Sequence, residues 1–242
     1  MGPRRILVLV IASDFPRHYV EMQNLWTKCV VDRCINDRCI TTDVWFIKAK
    51  PPHLWLGDIV NDGPLSDIVE LDREAMTIFV KGNETYIPGI LNKTIEAIRA
   101  IGLSDYDFIW RTNLSSVIDF TGLAKYIDSL CVSSMFYGGF TGLSVDGSVS
   151  FASGAGFLMS RDVAEYLVSN RDLLRWDLID DVAIGALLEP KFGITHIERC
   201  WVQTGNEDFA SLSAAGIFHF RCETYRHERT TEFMNVVSKA LC

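Results

Sequence analysis

The sequence lacks a long hydrophobic run, an excess of basic residues and low-complexity segments. Its apolar stretch near the N-terminus, residues 6–12, is too short to span a membrane and instead indicates a buried strand. Lys and Arg total 23 against 31 Asp and Glu, and the resulting formal charge of −8 opposes non-specific binding to a polyanion. We therefore expect no membrane span and no nucleic-acid partner.

The composition is otherwise that of an ordinary globular protein. Hydrophobic residues make up 48% and charged residues 22% of the 242 positions, which excludes disordered, coiled-coil, collagen-like and disulfide-scaffold classes. A chain of this length fits one large domain, and we expect residues 1–242 to form it.

The seven cysteines do not suggest a disulfide framework or a zinc site. Their number is odd and no signal-peptide cleavage site follows the first apolar stretch, so we expect reduced thiols and a cytoplasmic location. Cys29, Cys34 and Cys39 recur at intervals that match no zinc pattern, and Cys29 falls on the apolar side of a predicted helix. Buried free thiols are therefore favoured over a metal-binding cluster.

Strand-like stretches alternate with helix-like stretches along the chain. Apolar runs predict strands at residues 6–12, 42–48, 77–80, 106–111, 135–140, 148–151 and 194–202. Apolar residues at intervals of three and four predict helices at residues 19–30, 87–101, 121–130, 160–168 and 179–189 and around Phe233. Turn-forming residues predict a loop at residues 49–66 and a flexible stretch at residues 205–215. This alternation indicates an α/β fold with a mostly parallel central sheet and helices on both faces.

In such a fold the ligand site lies at the carboxyl ends of the strands. A dinucleotide-binding loop is not present there, because the first strand runs into Ser13 and Asp14 without a glycine. Gly154 and Gly156 form the one pair at Gly-x-Gly spacing, and a methionine stands where the third glycine belongs. These departures disfavour an NAD-dependent oxidoreductase.

Four stretches, in this order along the chain, resemble the GT-A glycosyltransferases, most closely the β-1,3-galactosyltransferase and fringe group. They are residues 84–94 (ETYIPGILNKT), 106–120 (YDFIWRTNLSSVIDF), 151–162 (FASGAGFLMSRD) and 180–185 (DDVAIG). The third stretch is the most specific match. The resemblance covers much of the chain and implies a GT-A fold and a nucleotide-diphosphate sugar as donor.

The resemblance also implies a set of donor-binding residues. They are Ser13, Asp14 and Asp72 near the base and ribose, and Lys93, Arg111, Asn113, Ser115, Ser153, Gly154 and Ala155 near the diphosphate and sugar. Small residues and glycine let a backbone approach a bulky sugar closely. The alternatives are that Lys93 is a solvated helix charge and that the third stretch is only a tight turn.

The second stretch departs from the family at its metal motif. Asn113 and Ser115 stand where the family carries an Asp-x-Asp pair, and an amide and a hydroxyl do not neutralise a divalent cation. Either Mn²⁺ or Mg²⁺ is held by Asn113, His219 and the donor diphosphate, or Arg111 and backbone N–H groups neutralise the diphosphate without a metal. A third interpretation makes Asn113 and Ser115 turn and cap residues only.

The fourth stretch carries the acids. In the family the second acid of this motif is the general base, and the resemblance gives that role to Asp181, with Asp180 orienting it or binding an acceptor hydroxyl. Such a carboxylate takes the hydroxyl proton while C1 is attacked from the face opposite the diphosphate, which inverts the anomeric carbon. Two acids at a helix N-terminus also suit the helix dipole, so a purely structural role is the alternative.

The sequence thus predicts an inverting glycosyltransferase that uses a UDP-sugar and a glycan or glycoprotein acceptor. Secretory members of the family have an N-terminal membrane anchor, and its lack here predicts a cytoplasmic enzyme of bacterial or viral type. The alternative is a non-catalytic nucleotide-sugar-binding or glycan-binding protein on the same fold, since the Asp-x-Asp carboxylates are missing.

Overall fold

The computed structural model of the protein describes residues 4–31, 40–50, 68–222 and 227–241. Within these residues the strands are β1 (Arg4–Ile11), β2 (Ile40–Lys50), β3 (Ile68–Asp72), β4 (Thr77–Lys81), β5 (Phe108–Asn113), β6 (Ser116–Ile118), β7 (Tyr137–Leu143), β8 (Ser150–Ser160), β9 (Thr195–His196), β10 (Cys200–Trp201) and β11 (His219–Arg221). The helices are α1 (Arg17–Val31), α2 (Gly89–Ile101), α3 (Phe120–Ser129), α4 (Arg161–Ser169), α5 (Asp180–Phe192), α6 (Phe209–Ala214) and α7 (His227–Leu241).

Eight of these strands form a central sheet in the order β3-β4-β2-β1-β5-β8-β7-β9. Strands β4, β2, β1 and β5 pair in parallel, and β9 pairs in parallel with β7. Strand β8 is antiparallel to both of its neighbours, and β3 is antiparallel to β4. All strands except β3 and β8 therefore share one direction, which confirms the predicted α/β fold with a mostly parallel sheet.

Helices cover both faces of the central sheet, as predicted, and bury two apolar cores. Val8 and Val10 of β1 belong to one core, which helices α1, α3 and α7 complete. Leu7 and Leu9 belong to the other core, which helices α2, α4 and α5 complete. Successive side chains of a strand point to opposite faces, so β1 contributes to both cores in alternation.

A second sheet of three strands, β10-β11-β6, carries residues that lie close to the end of β5. Strand β11 pairs in parallel with β10 and antiparallel with β6, which puts Arg221 opposite Ser116. Because β6 follows directly after β5 in the chain, this pairing brings Arg221 next to the carboxyl end of β5.

Several predicted elements differ from the structure. Helix α5 continues through Pro190 to Phe192, and the N–H of Gly193 donates to a carbonyl before the proline, so the last turn closes around it. Residues 205–215, predicted to be flexible, contain helix α6, which Asp208 caps by accepting from the N–H of Ser211. The predicted strand at residues 194–202 consists of β9 and β10, which lie in different sheets, and strands β3 and β6 were not predicted.

Some predictions fall outside the described residues. These are most of the loop at residues 49–66, Cys34, Cys39 and the side chain of Cys29. Ala49 and Lys50, the first residues of that loop, belong to β2. No helix in the described ranges is both long enough and apolar enough to cross a membrane.

Candidate active site

A cavity of about 460 Å³ opens where β1 and β5 end. All four stretches that carry the family resemblance contribute to its lining. Their lining residues are Glu84, Thr85, Tyr86, Ile90 and Lys93, then Arg111, Asn113, Leu114 and Ser115, then Ser153, Gly154 and Ala155, and finally Asp180 and Asp181. Stretches that are far apart in the sequence therefore meet in one cavity.

Arg111 joins β5, β8 and α5 in the cavity wall. Its buried guanidinium donates hydrogen bonds to the carbonyl of Gly154 and to the carboxylate of Asp180. Its Nε lies 3.4 Å from the hydroxyl of Thr94 on α2. Since a buried carboxylate needs a partner to replace water, Arg111 holds Asp180 in place at the start of α5.

Asp181, the second residue of α5, has a half-buried carboxyl group in the cavity. Its Oδ2 accepts a hydrogen bond from the N–H of Gly154 at 2.9 Å. Burial, and then the neighbouring Asp180 carboxylate, raise the pKa of Asp181 above its ordinary value, while the N–H of Gly154 opposes this rise. A carboxyl group with a raised pKa in a cavity is suited to proton transfer.

Lys93 is a buried cation that joins α2 to the first two strands. Its Nζ donates to the carbonyl of Ala12 at 3.0 Å and to the carboxylate of Glu84, which also accepts from the N–H of Ala49. Burial lowers the pKa of Lys93, and the Glu84 carboxylate opposes this shift. Lys93 is therefore not a solvated surface charge.

Asn113 and Ser115, at the positions of the family's metal motif, bind an arginine side chain. Nη1 of Arg221 donates to Oδ1 of Asn113 and to Oγ of Ser115, the latter at 2.6 Å. Asn113 Oδ1 also lies 3.2 Å from the hydroxyl of Ser115 and 3.3 Å from that of Ser116. A divalent cation held by these oxygens would lie against a guanidinium, and like charges repel. The donor set at this position therefore does not suit Mn²⁺ or Mg²⁺.

No group of three or more His, Cys, Asp or Glu side chains in the described part of the chain is arranged to hold a metal ion. His219, the other predicted ligand, is buried against Trp110 and is not among the residues that line the cavity. Its Nε2 lies 3.2 Å from Oγ of Ser116. Burial, together with the charges of Arg199 and Arg221, lowers the pKa of His219 to about 3, so the ring is neutral near pH 7.

Of the three residues predicted near the base and ribose, one lines the cavity. Ser13 lines the cavity at the end of β1. Asp14 instead forms an ion pair with Lys48, and Asp72 accepts from a backbone N–H of the turn between β3 and β4. Neither of these two acids lines the cavity.

Several residues that line the cavity were not predicted from the sequence. They are the arginines Arg199 and Arg221 and the exposed aromatic residues Phe15, Tyr86 and Trp201. Arg199 donates to Oγ of Ser153 at 2.9 Å and lies over the ring of Phe140. A sequence signal exists for Arg221. Side chains alternate along the strand of residues 217–221, so Arg221 lies on the same side as His219, which was a predicted site residue. Arg199 has no such signal, because it lies between the two-residue strands β9 and β10.

The cavity carries more positive charge than the chain as a whole. Four cationic side chains line it, Lys93, Arg111, Arg199 and Arg221, against three acidic ones, Glu84, Asp180 and Asp181. The formal charge of the whole chain is −8. Since a cleft with a locally positive field attracts anions despite the net charge, an anionic ligand fits this cavity.

Comparisons with solved structures return glycosyltransferases, whereas no family model and no curated protein sequence matches this chain. One is a glycosyltransferase involved in the glycosylation of the major capsid of PBCV-1, with 9% identity, a TM-score of 0.45, and coverage of 96% of this chain and 100% of that chain. GlyE from Streptococcus pneumoniae TIGR4 has 9% identity, a TM-score of 0.44, and coverage of 99% of this chain and 63% of that chain. Mouse xyloside xylosyltransferase 1 has 9% identity, a TM-score of 0.46, and coverage of 90% of this chain and 98% of that chain.

Proposed function

We propose that this protein is a GT-A glycosyltransferase that moves a sugar from a nucleotide-diphosphate donor, a UDP-sugar, to a hydroxyl group of a glycan or glycoprotein. One observation carries the proposal. The four stretches that resemble the family line the same cavity, although they lie far apart in the sequence.

The cavity suits a nucleotide-diphosphate sugar in size and charge. Its volume of about 460 Å³ lies within the ordinary range for small-molecule sites, about 300–1,000 Å³. Arg199 and Arg221 supply cationic groups for a diphosphate, and Ser153 to Ala155 offer a wall of small side chains for the sugar. The exposed rings of Phe15 and Tyr86 at the cavity suit stacking with a base or sugar.

Asp181 is the general base of the proposed reaction. Its carboxylate takes the proton of the acceptor hydroxyl as that oxygen forms a bond to C1 of the sugar. The bond from C1 to the diphosphate breaks, and its electron pair leaves with UDP. Attack from the face opposite UDP inverts the anomeric carbon.

Asp180 and Arg111 are positioning residues in this proposal. Asp180 is buried and forms an ion pair with Arg111, which fixes the orientation of its carboxylate. The same guanidinium binds the carbonyl of Gly154, whose N–H donates to Asp181. The Arg111–Asp180 pair therefore fixes the backbone at Gly154, and the N–H of Gly154 in turn orients the carboxylate of Asp181.

The test is to incubate the protein with UDP-sugars and candidate acceptors and to follow UDP release. We expect Asp181→Asn to lower kcat by at least about a hundredfold, the scale of general-base catalysis, with nearly unchanged donor affinity. Asp177→Asn is the matched control, because Asp177 is an exposed carboxylate that pairs with Arg175 just before α5.

The outcomes separate the two functional hypotheses. An Asp181→Asn variant with normal kcat removes Asp181 from the mechanism. UDP-sugar binding to the wild-type protein without turnover, across a broad panel of acceptors, would instead support the non-catalytic binding protein.

A further inference from the structure

The position of Arg221 has a consequence for how the donor diphosphate is neutralised. Arg221 lies on β11 and is mostly buried, and its guanidinium contacts Asn113 and Ser115 at the end of β5. These two residues occupy the positions at which the family resemblance implies metal ligands. Arg221 thus lies where the positive charge of a metal ion would otherwise be.

The side-chain oxygens of Asn113 and Ser115 already accept hydrogen bonds from protein groups. A metal ligand must direct a lone pair at the ion, but Asn113 Oδ1 already accepts hydrogen bonds from Arg221 and from the hydroxyl of Ser115. The hydroxyl of Ser115 is engaged with Arg221 and Asn113. Binding an ion here would require these bonds to break and would bring a dication against a guanidinium.

A second arginine lines the same cavity on the side of β8. Arg199 donates to Oγ of Ser153 at 2.9 Å, and its guanidinium lies over the rings of Phe140 and Trp201, 4.2 and 5.4 Å from their centroids. Contacts with aromatic rings and a hydroxyl orient the guanidinium of Arg199. Arg111 also lines the cavity, where it donates to Asp180 and to the carbonyl of Gly154.

We propose that Arg221, assisted by Arg199, takes the place of the divalent metal, so that this protein binds its donor diphosphate without a metal ion. This inference rests on the proposed function. Guanidinium groups bind phosphate oxygens through charged, paired hydrogen bonds. As the bond from C1 to the diphosphate breaks, these bonds strengthen because negative charge accumulates on the leaving UDP.

The experiment is calorimetric titration of the wild-type protein with UDP, once in EDTA and once in Mn²⁺. We expect the two dissociation constants to agree within about twofold. We further expect Arg221→Gln to weaken UDP binding in EDTA by about tenfold or more, on the scale of a lost charged hydrogen bond, and Arg221→Lys to recover part of that loss. Arg175→Gln is the matched control, because it removes an exposed arginine outside the cavity and should bind UDP normally.

Each result bears on a different claim. UDP binding that appears only with Mn²⁺ overturns metal independence and leaves the proposed function standing. No UDP binding in either condition overturns the proposed function as well. Normal UDP affinity in Arg221→Gln overturns the role of Arg221, and the wild-type comparison still decides metal independence if that variant fails to fold.

Discussion

The carboxyl group of Asp181 lies between Asp180 and the backbone of Gly154, where water solvates it poorly. Its pKa is therefore higher in the folded protein than in the unfolded chain. A raised folded-state pKa gives stability that is present below the unfolded-state pKa and is lost as the pH rises through the folded-state pKa. Above that range the ionised group opposes folding, while the proposed chemistry needs it ionised.

This conflict predicts that Asp181→Asn is at least as stable as the wild-type protein. Asparagine has no charge to desolvate, and its side-chain oxygen keeps one of the two backbone hydrogen bonds that the carboxylate accepts, from Gly154 and Val182. We expect a higher Tm for the variant near pH 7.5 and a difference that shrinks as the pH falls below the pKa of an ordinary aspartate. Differential scanning calorimetry across this pH range measures both. A variant that melts below the wild-type protein near pH 7.5 would contradict the account of Asp181.

At the scale of elements, strand β8 contains two glycines with different surroundings: Gly154 borders the cavity, and Gly156 borders the buried core. A methyl group at Gly154 would lie 2.9 Å from Nη1 of Arg111 and 3.3 Å from Oδ2 of both Asp180 and Asp181. A methyl group at Gly156 would instead lie 2.6 Å from the ring of Trp110. The first position therefore borders the ionic groups of the cavity, and the second borders buried aromatic packing.

The two alanine variants should consequently fail in different ways. We expect Gly154→Ala to displace Arg111 and the two acids, and to lower kcat/KM at least about tenfold. Gly156→Ala should lose about 1–3 kcal/mol of unfolding free energy by overpacking. Denaturant unfolding and UDP release, measured on both variants, separate the two effects. If the two variants lost the same stability and the same activity, the different roles assigned to Gly154 and Gly156 would be wrong.

The sequence predicted the elements whose apolar pattern is continuous and local. Strands β1 and β5 are largely buried, and each contains an apolar run, residues 6–11 in β1 and 108–110 in β5, that makes the strand recognisable in the sequence. Helix α6 was missed because it is short and is specified by the cap at Asp208 more than by periodicity. The roles of Arg199 and Arg221 depend on how β10, β11 and β6 pair, and pairing between distant segments leaves no mark in the local pattern.

At the scale of the whole molecule, the two cores share the central sheet. Ile11 belongs to the core that α2, α4 and α5 complete, and Ala12 belongs to the core that α1, α3 and α7 complete. Both residues also line the cavity. The cavity therefore lies where the two cores meet, and its geometry depends on both of them.

The shared sheet predicts that residues 1–242 unfold as one domain. We expect Phe233→Ala on α7 to lose about 3–5 kcal/mol of unfolding free energy and Leu167→Ala on α4 about 2–5 kcal/mol, since both side chains are buried in the cores. Each variant should shift a single urea transition that tryptophan fluorescence and far-UV circular dichroism report at the same midpoint, because damage to either core loosens the sheet that both require. Two transitions, or different midpoints from fluorescence and circular dichroism, would mean that the two faces are separate folding units.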